Sequence, residues 1–181
     1  MALNDNRLPY GLRDVKVASI QPDGTRGTLV DLPNSQTFEF QESTSTQELR
    51  GDDAIKASRT SVDAVEWTLE AGGINFEAMK VIAGGTITVT GTEPNITSKK
   101  WSRKEGESYP DFYVEGQAMS ESGGDHHTVL HRAKASQISG SHQDQEFWVS
   151  HAEGTGIGSL ATGNEGAVWD MVANDTETPI A

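Results

Sequence analysis

A two-residue rhythm of apolar and polar side chains constrains this chain more than any other feature. In QTFEFQE, residues 36–42, Phe38 and Phe40 fall on one side while Thr37, Glu39 and Gln41 fall on the other. In VDAVEWTLEA, residues 62–71, Val65, Trp67 and Leu69 oppose Ala64, Glu66, Thr68 and Glu70. Successive side chains of a strand point to opposite faces, so this pattern predicts strands with one dry and one wet face. Similar alternation recurs over residues 15–20, 86–90, 112–119, 128–138 and 146–151, with turn chemistry between: PDG at 22–24, RGDD at 50–53 and SGGD at 122–125. Many half-buried strands joined by tight turns predict a mainly β chain, an antiparallel β-sandwich or barrel.

One stretch breaks the rhythm. EAGGINFEAMKVIAGG, residues 70–85, has apolar residues at helical spacing between two glycine pairs. Asn75 is placed to cap the first turn, and Ile74 to pack on Met79 as a hydrophobic staple. Phe76, Met79, Ile82 and Ala83 form one stripe, and Gly84 supplies the left-handed stop. The spacing predicts a helix over 76–83. Eight residues are too few to hold a helix in water, so the stripe must lie on apolar surface, capping an open end or flank of the sandwich.

At 181 residues the chain suits one domain. Residues 1–14 read as an N-terminal arm, 15–151 as the β domain and 152–181 as a polar, glycine-rich extension. That extension reads as flexible, with one apolar anchor at Val168, Trp169, Met171 and Val172 that could dock on its own domain or on a neighbour. The polar start, MALNDNRLPYGLRD, lacks the apolar centre of an export signal, and no apolar run reaches membrane length, so a soluble protein is expected.

There is no cysteine, which excludes disulfides and thiolate chemistry and leaves any metal site to His and carboxylates. The net charge of −13 opposes binding to nucleic acid or anionic membrane. Residues 105–125 and 141–181 carry no Lys or Arg, while Lys99, Lys100, Arg103 and Lys104 sit together. Unlike patches on one chain suit self-association, and a solvated acidic surface is the plainer alternative.

The chemical motifs are weak. In DHHTVLHR, Asp125, His126, His127 and His131 look metal-like, with His142 and His151 further on. On a strand, however, His127 and His131 stand about 13 Å apart, too far to share an ion. Asp144 with Glu146, or Glu66 with Glu70, satisfies same-face spacing for a glycosidase pair, as acidic residues on wet strand faces often do. GTGIGS at 154–159 has displaced glycines and no helix after it, so it reads as a loop rather than a dinucleotide cradle. RGDD reads as a turn rather than an adhesion motif. KKWSRK, with Trp101 among four cations, suits either a phosphate backbone or an acidic protein surface, the latter agreeing better with the charge. No cofactor, metal site or catalytic residue is expected.

Residues 38–91, from FEFQESTSTQELRGDDAIKASRTSVDAVEW through TLEAGGINFEAMKVIAGGTITVTG, resemble the central region of major tail proteins, the tail-tube subunits of long-tailed bacteriophages. The likeness lies in the order of parts: a strand ending in a Gly-Asp-Asp turn, a second strand, a Trp-centred strand, a Gly-Gly and the short helix. It implies a β-sandwich flanked by one helix, made in the host cytoplasm and located in the virion tail. It also implies a structural protein without turnover, whose subunits form hexameric rings stacked into a tube through which viral DNA passes unbound. Tape measure, tail terminator and baseplate or tip proteins are the implied partners.

On that reading Glu39, Gln41, Glu66, Thr68 and Glu70 are candidates for the lumen or a sheet junction. Lys99, Lys100, Trp101, Arg103, Lys104 and Trp169 are candidates for contacts between subunits, and Phe76, Met79 and Ile82 for a structural helix face. The competing reading is a carbohydrate- or receptor-binding sandwich using Trp101, Tyr109 and Tyr113 as a platform. A sandwich-type hydrolase comes third.

Overall fold

A computed structural model of the chain describes residues 8–181; the first half of the expected N-terminal arm lies outside them. The strands are β1 (Pro9–Ile20), β2 (Arg26–Asp31), β3 (Ser35–Gly51) and β4 (Ala54–Gly72), followed by helix α1 (Phe76–Ala83). Then come β5 (Thr86–Thr92), β6 (Asn95–Ser102), β7 (Asp111–Ser120), β8 (Asp125–Gly140), β9 (Val149–Gly156) and β10 (Trp169–Asn174). Over the described residues the fold is mainly β and antiparallel, as the alternation predicts, with one short helix and no closed barrel.

Eight strands make one sheet in the order β2-β1-β7-β8-β9-β4-β3, with β10 also paired to β8; β5 and β6 form a separate hairpin. Strand β8 is the spine. Its first half pairs with β7 on one side and β10 on the other, and its second half pairs with β9. The sheet folds so that its β3-β4-β9 wing faces its β1-β7-β8 wing. Between them lies a core of Val15, Val17, Val65, Trp67, Leu69, Phe112, Val114 and Leu130. Trp67 meets Phe112 edge-on at 5.4 Å between ring centroids. Gly116 on β7 leaves room for the Phe38 ring from β3, which any β-carbon there would strike.

The helix spans the predicted residues. Asn75 Oδ1 accepts from the backbone N–H groups of Glu77 and Ala78, while its Nδ2 donates to the Asp31 carbonyl at 2.8 Å. Gly84 ends the helix at φ 76°. The buried face differs slightly from the expected stripe. Ile82 and Ala83 are buried, but Ala78 takes the third buried position, and Phe76 and Met79 are only half covered. Ile74 is 51% exposed, so the expected staple on Met79 buries little. Ala78 and Ile82 join the core that holds Leu32, Leu69 and Ala71, so the helix closes one mouth of the folded sheet.

Two other expectations need correction. Strand β1 begins at Pro9, inside the segment read as an arm, and pairs with β7 from Pro9↔Ser120 onward. The C-terminal extension docks on its own domain, the first of the two sites open to its apolar anchor, rather than staying flexible. Strand β9 runs through Gly156, β10 lies along β8, and Ile180 is 3% exposed. No helix of the described residues is long and apolar enough to cross a membrane.

The β3–β4 hairpin extends well past the body. Strand β9 stops pairing with β4 at Val65↔Gly156, whereas β3 and β4 remain paired out to Gly51↔Ala54. Residues 44–63 therefore form a two-stranded arm that is exposed on both faces, about 30 Å long at 3.4 Å per residue. Its tip is the RGDD turn, where Asp52 and Asp53 take φ of 51° and 61°. Those angles at both central residues define the turn whose twist matches a hairpin.

Candidate functional site

The polar residues of the β3-β4-β9 wing converge on its outer side. Register places Glu39 opposite Thr68 and Gln41 opposite Glu66; across β4, Thr68 faces Glu153 and Glu66 faces Thr155. These side chains and Ser136 line an open groove of about 680 Å³. Glu70 continues the same face one step along. Its carboxylate accepts from Thr37 Oγ1 at 3.1 Å and meets His151 Nδ1 at 3.2 Å, while His151 Nε2 lies 3.5 Å from Glu153. Four of the five candidate lumen residues, Glu39, Gln41, Glu66 and Thr68, thus line one open groove, and Glu70 extends the same strand face beyond it. Glu153 lines that groove too, and was missed because its strand was read as ending at residue 151.

The basic cluster is partly committed within the molecule. Lys99 pairs with Glu77 on the helix at 2.7 Å, and Trp101 Nε1 donates to the Gly84 carbonyl at 2.9 Å. Arg103 stacks over Tyr109 at 4.2 Å and donates to the Glu107 carbonyl. The Lys99 and Trp101 contacts fasten the β5–β6 hairpin to the first turn and the C-cap of the helix, while Arg103 is held by the segment leading into β7. Lys100 and Lys104 are exposed. Trp169 packs on Phe40 at 5.1 Å and donates to Glu42, so it ties β10 to β3. Trp101, Tyr109 and Tyr113 are each half buried with partners inside the chain, rather than arrayed as an open platform.

The histidine-rich segment forms no metal centre. Among the described residues, no group of three or more His, Cys, Asp or Glu is arranged to hold an ion. Instead His127 bridges two carboxylates, with Nδ1 2.6 Å from Glu115 and Nε2 3.1 Å from Asp125. His131 points elsewhere, pairing with Asp170 at 2.7 Å. Asp125 is fully buried and also receives bonds from Gln117, Asn174 and the Thr178 backbone N–H. Burial alone would raise its pKa, but donors from Thr178, Asn174, Gln117 and His127 outweigh it and hold the carboxyl at about 2. Burial pushes the Tyr113 hydroxyl upward, and its bond to Glu115 adds to the shift.

The Glu66–Glu70 pair does not have glycosidase spacing. Glu66 and Glu70 stand four residues apart on one strand, a rise of about 13 Å, whereas a catalytic pair needs about 5–9.5 Å between carboxyls. Asp144 and Glu146 lie in the exposed β8–β9 loop. The GTGIGS glycines 154 and 156 sit inside β9, Gly154 pressed against Trp67 and β8.

No protein-family model matches this chain, and none of the curated proteins does.

Proposed function

We propose that this protein is a structural subunit that assembles with copies of itself into stacked hexameric rings, forming the tail tube of a long-tailed bacteriophage. The β3–β4 arm carries the reading. A two-stranded ribbon with no third strand and no buried face is marginal in water. This one exposes Leu49, Ile55 and Val62 at 65%, 52% and 46%. It also leaves the backbone donors and acceptors of both edges open, a surface that invites pairing with another chain. Strands β2 and β3, at the two margins of the sheet, offer further edges that closure into a ring would satisfy.

The acidic groove supports the direction of the wall. Duplex DNA carries about one negative charge per 1.7 Å, so a basic lining would hold it by counterion release and an acidic one lets it slide. Glu39, Glu66, Glu70 and Glu153 facing a bore suit a conduit, and no turnover is proposed. Proteins that set tube length or close its ends would be the other partners.

Electron microscopy of the purified full chain, over a range of concentrations and salt, tests this. Six-membered rings or tubes are the expected outcome, and a monomer under every condition would overturn it. Rings with the glutamate face turned outward would sink only the assignment of the lining.

A further inference from the structure

Where the end of β1 and the start of β7 meet the middle of β8, the surface dips into an open hollow of about 340 Å³, lined by Ile20, Pro22, Asp111, Arg132, Lys134 and Leu160. Register sets Asp111 opposite Lys134. Arg132 Nε and Nη2 both lie 2.7 Å from Asp111 Oδ2, and Lys134 Nζ lies 3.6 Å from Oδ1. Two cations share one carboxylate, so they keep N–H donors to spare and the hollow is locally positive on a chain of net charge −13. Asp23, the acid of the adjoining β1–β2 turn, is engaged by the Thr25 N–H and hydroxyl. Ile20, Pro22 and the half-exposed Leu160 supply apolar walls. These walls are pre-formed. The backbone of Leu160 presses on Gly24, where a β-carbon would meet it at 2.6 Å, and the loop behind is closed by the Ser159 N–H to the Ala167 carbonyl at 2.8 Å.

The tip of the β3–β4 arm carries the opposite chemistry. Asp52 and Asp53 stand side by side at the turn, both exposed, with Lys56 3.8 Å from Asp52. Leu49 and Ile55 flank them at 65% and 52% exposure. Two carboxylates between apolar residues thus match two cations between apolar walls. Charge of this kind steers encounter and fixes register, while the apolar flanks supply the area to be buried.

A copy cannot fill its own hollow. Ala133, between Arg132 and Lys134, pairs with Gly156, and Gly156 pairs with Val65 at the root of the arm. Two strand spacings place the hollow about 10 Å from that root, whereas the paired strands carry the tip about 30 Å beyond it. The tip therefore stays roughly 20 Å or more from the hollow of its own chain. We propose that the Asp52–Asp53 tip of one copy docks in the Arg132–Lys134 hollow of a second copy. This rests on the self-assembly proposed above and names the surface that receives the arm.

Carbodiimide coupling of the full chain, which joins amines to carboxylates in direct contact, tests this in an equal mixture of isotopically heavy and light copies. Lys56 with Asp52 and Lys134 with Asp111 are the internal controls. Lys134 should also couple to Asp52 or Asp53, with a heavy and a light peptide in one link. Sedimentation gives a second reading. Asp52→Asn with Asp53→Asn keeps residues that tolerate the turn, and should raise the concentration needed for association roughly two- to fivefold. Lys134→Glu should do the same, and adding it to the tip variant should change little more, because the two charges act as one pair. Control links without cross-copy links, or effects of tip and hollow that multiply, would overturn the proposal. Microscopy keeps the two readings apart: cross-copy links without rings support this contact and remove the tube, and rings without those links do the reverse. A chain that stays monomeric at every concentration overturns both.

Discussion

Ile82 and Met79 sit on one helix, and the sequence assigns them the same role, yet they differ in burial. Ile82 is 4% exposed in the common core, while Met79 is half covered at the rim of the closed mouth. Ile82→Asp would leave a charge without a partner in apolar surroundings, costing about 4 kcal/mol or more, a large part of a domain's stability. Met79→Asp can turn its carboxylate toward water and should cost about 1–2 kcal/mol. Thermal unfolding of the two variants checks the contrast, and equal losses would mean the helix is seated differently. The cap and stop of this helix were legible because Asn75 and Gly84 act on their own neighbours. The choice of Ala78 over Met79 as a buried contact was not, because it depends on how closely Leu69 and Leu32 approach across the fold.

Among the elements, the β3–β4 arm and the C-terminal segment mark the limits of pattern reading. Phe38, Phe40, Val65, Trp67 and Leu69 announced the inner halves of β3 and β4, since each strand there has one wet and one dry face. Beyond Val65 the alternation fades into STSTQELRG and AIKASRTS, because an arm with two wet faces has no reason to alternate. Replacing Leu49, Ile55 and Val62 together by Thr keeps β propensity and removes only exposed apolar surface. The stability of the isolated chain should stay within about 0.5 kcal/mol of the parent, while the proposed ring or tube formation, counted by microscopy, falls sharply. Unaltered assembly would show that the arm's apolar residues play no part in it. Residues 174–181 were misread as loose for a related reason: backbone bonds to Asp125, Lys16 and Arg26 hold them, and bonds of that kind leave no periodic trace.

For the whole molecule, charge is the property that sequence conveyed best and geometry refined most. The −13 balance was visible at once, but not that Glu39, Glu66 and Glu153 would gather in one groove while Lys100 and Lys104 remain exposed near the other hairpin. If unlike surfaces meet between copies, Lys100→Glu with Lys104→Glu should slow assembly several-fold at low salt. The difference from the parent should shrink toward 0.5 M salt, where screening shortens to a few ångströms. Light scattering during assembly would follow it, and identical rates at all ionic strengths would remove charge from the mechanism. Each exposed pair contributes little alone, so the effect belongs to the summed field rather than to one bridge.

Strand β8 has neighbours along both margins of its first half, whereas the tip at Asp52–Asp53 is held by a single partner strand. Resistance to opening must then fall off steadily from Leu130 toward the hairpin tip, and the outer ribbon can lose its shape while the centre stays folded. A molecule built this way keeps a rigid body beside a soft extremity, and in the proposed assembly a neighbouring copy lying against the ribbon would complete it.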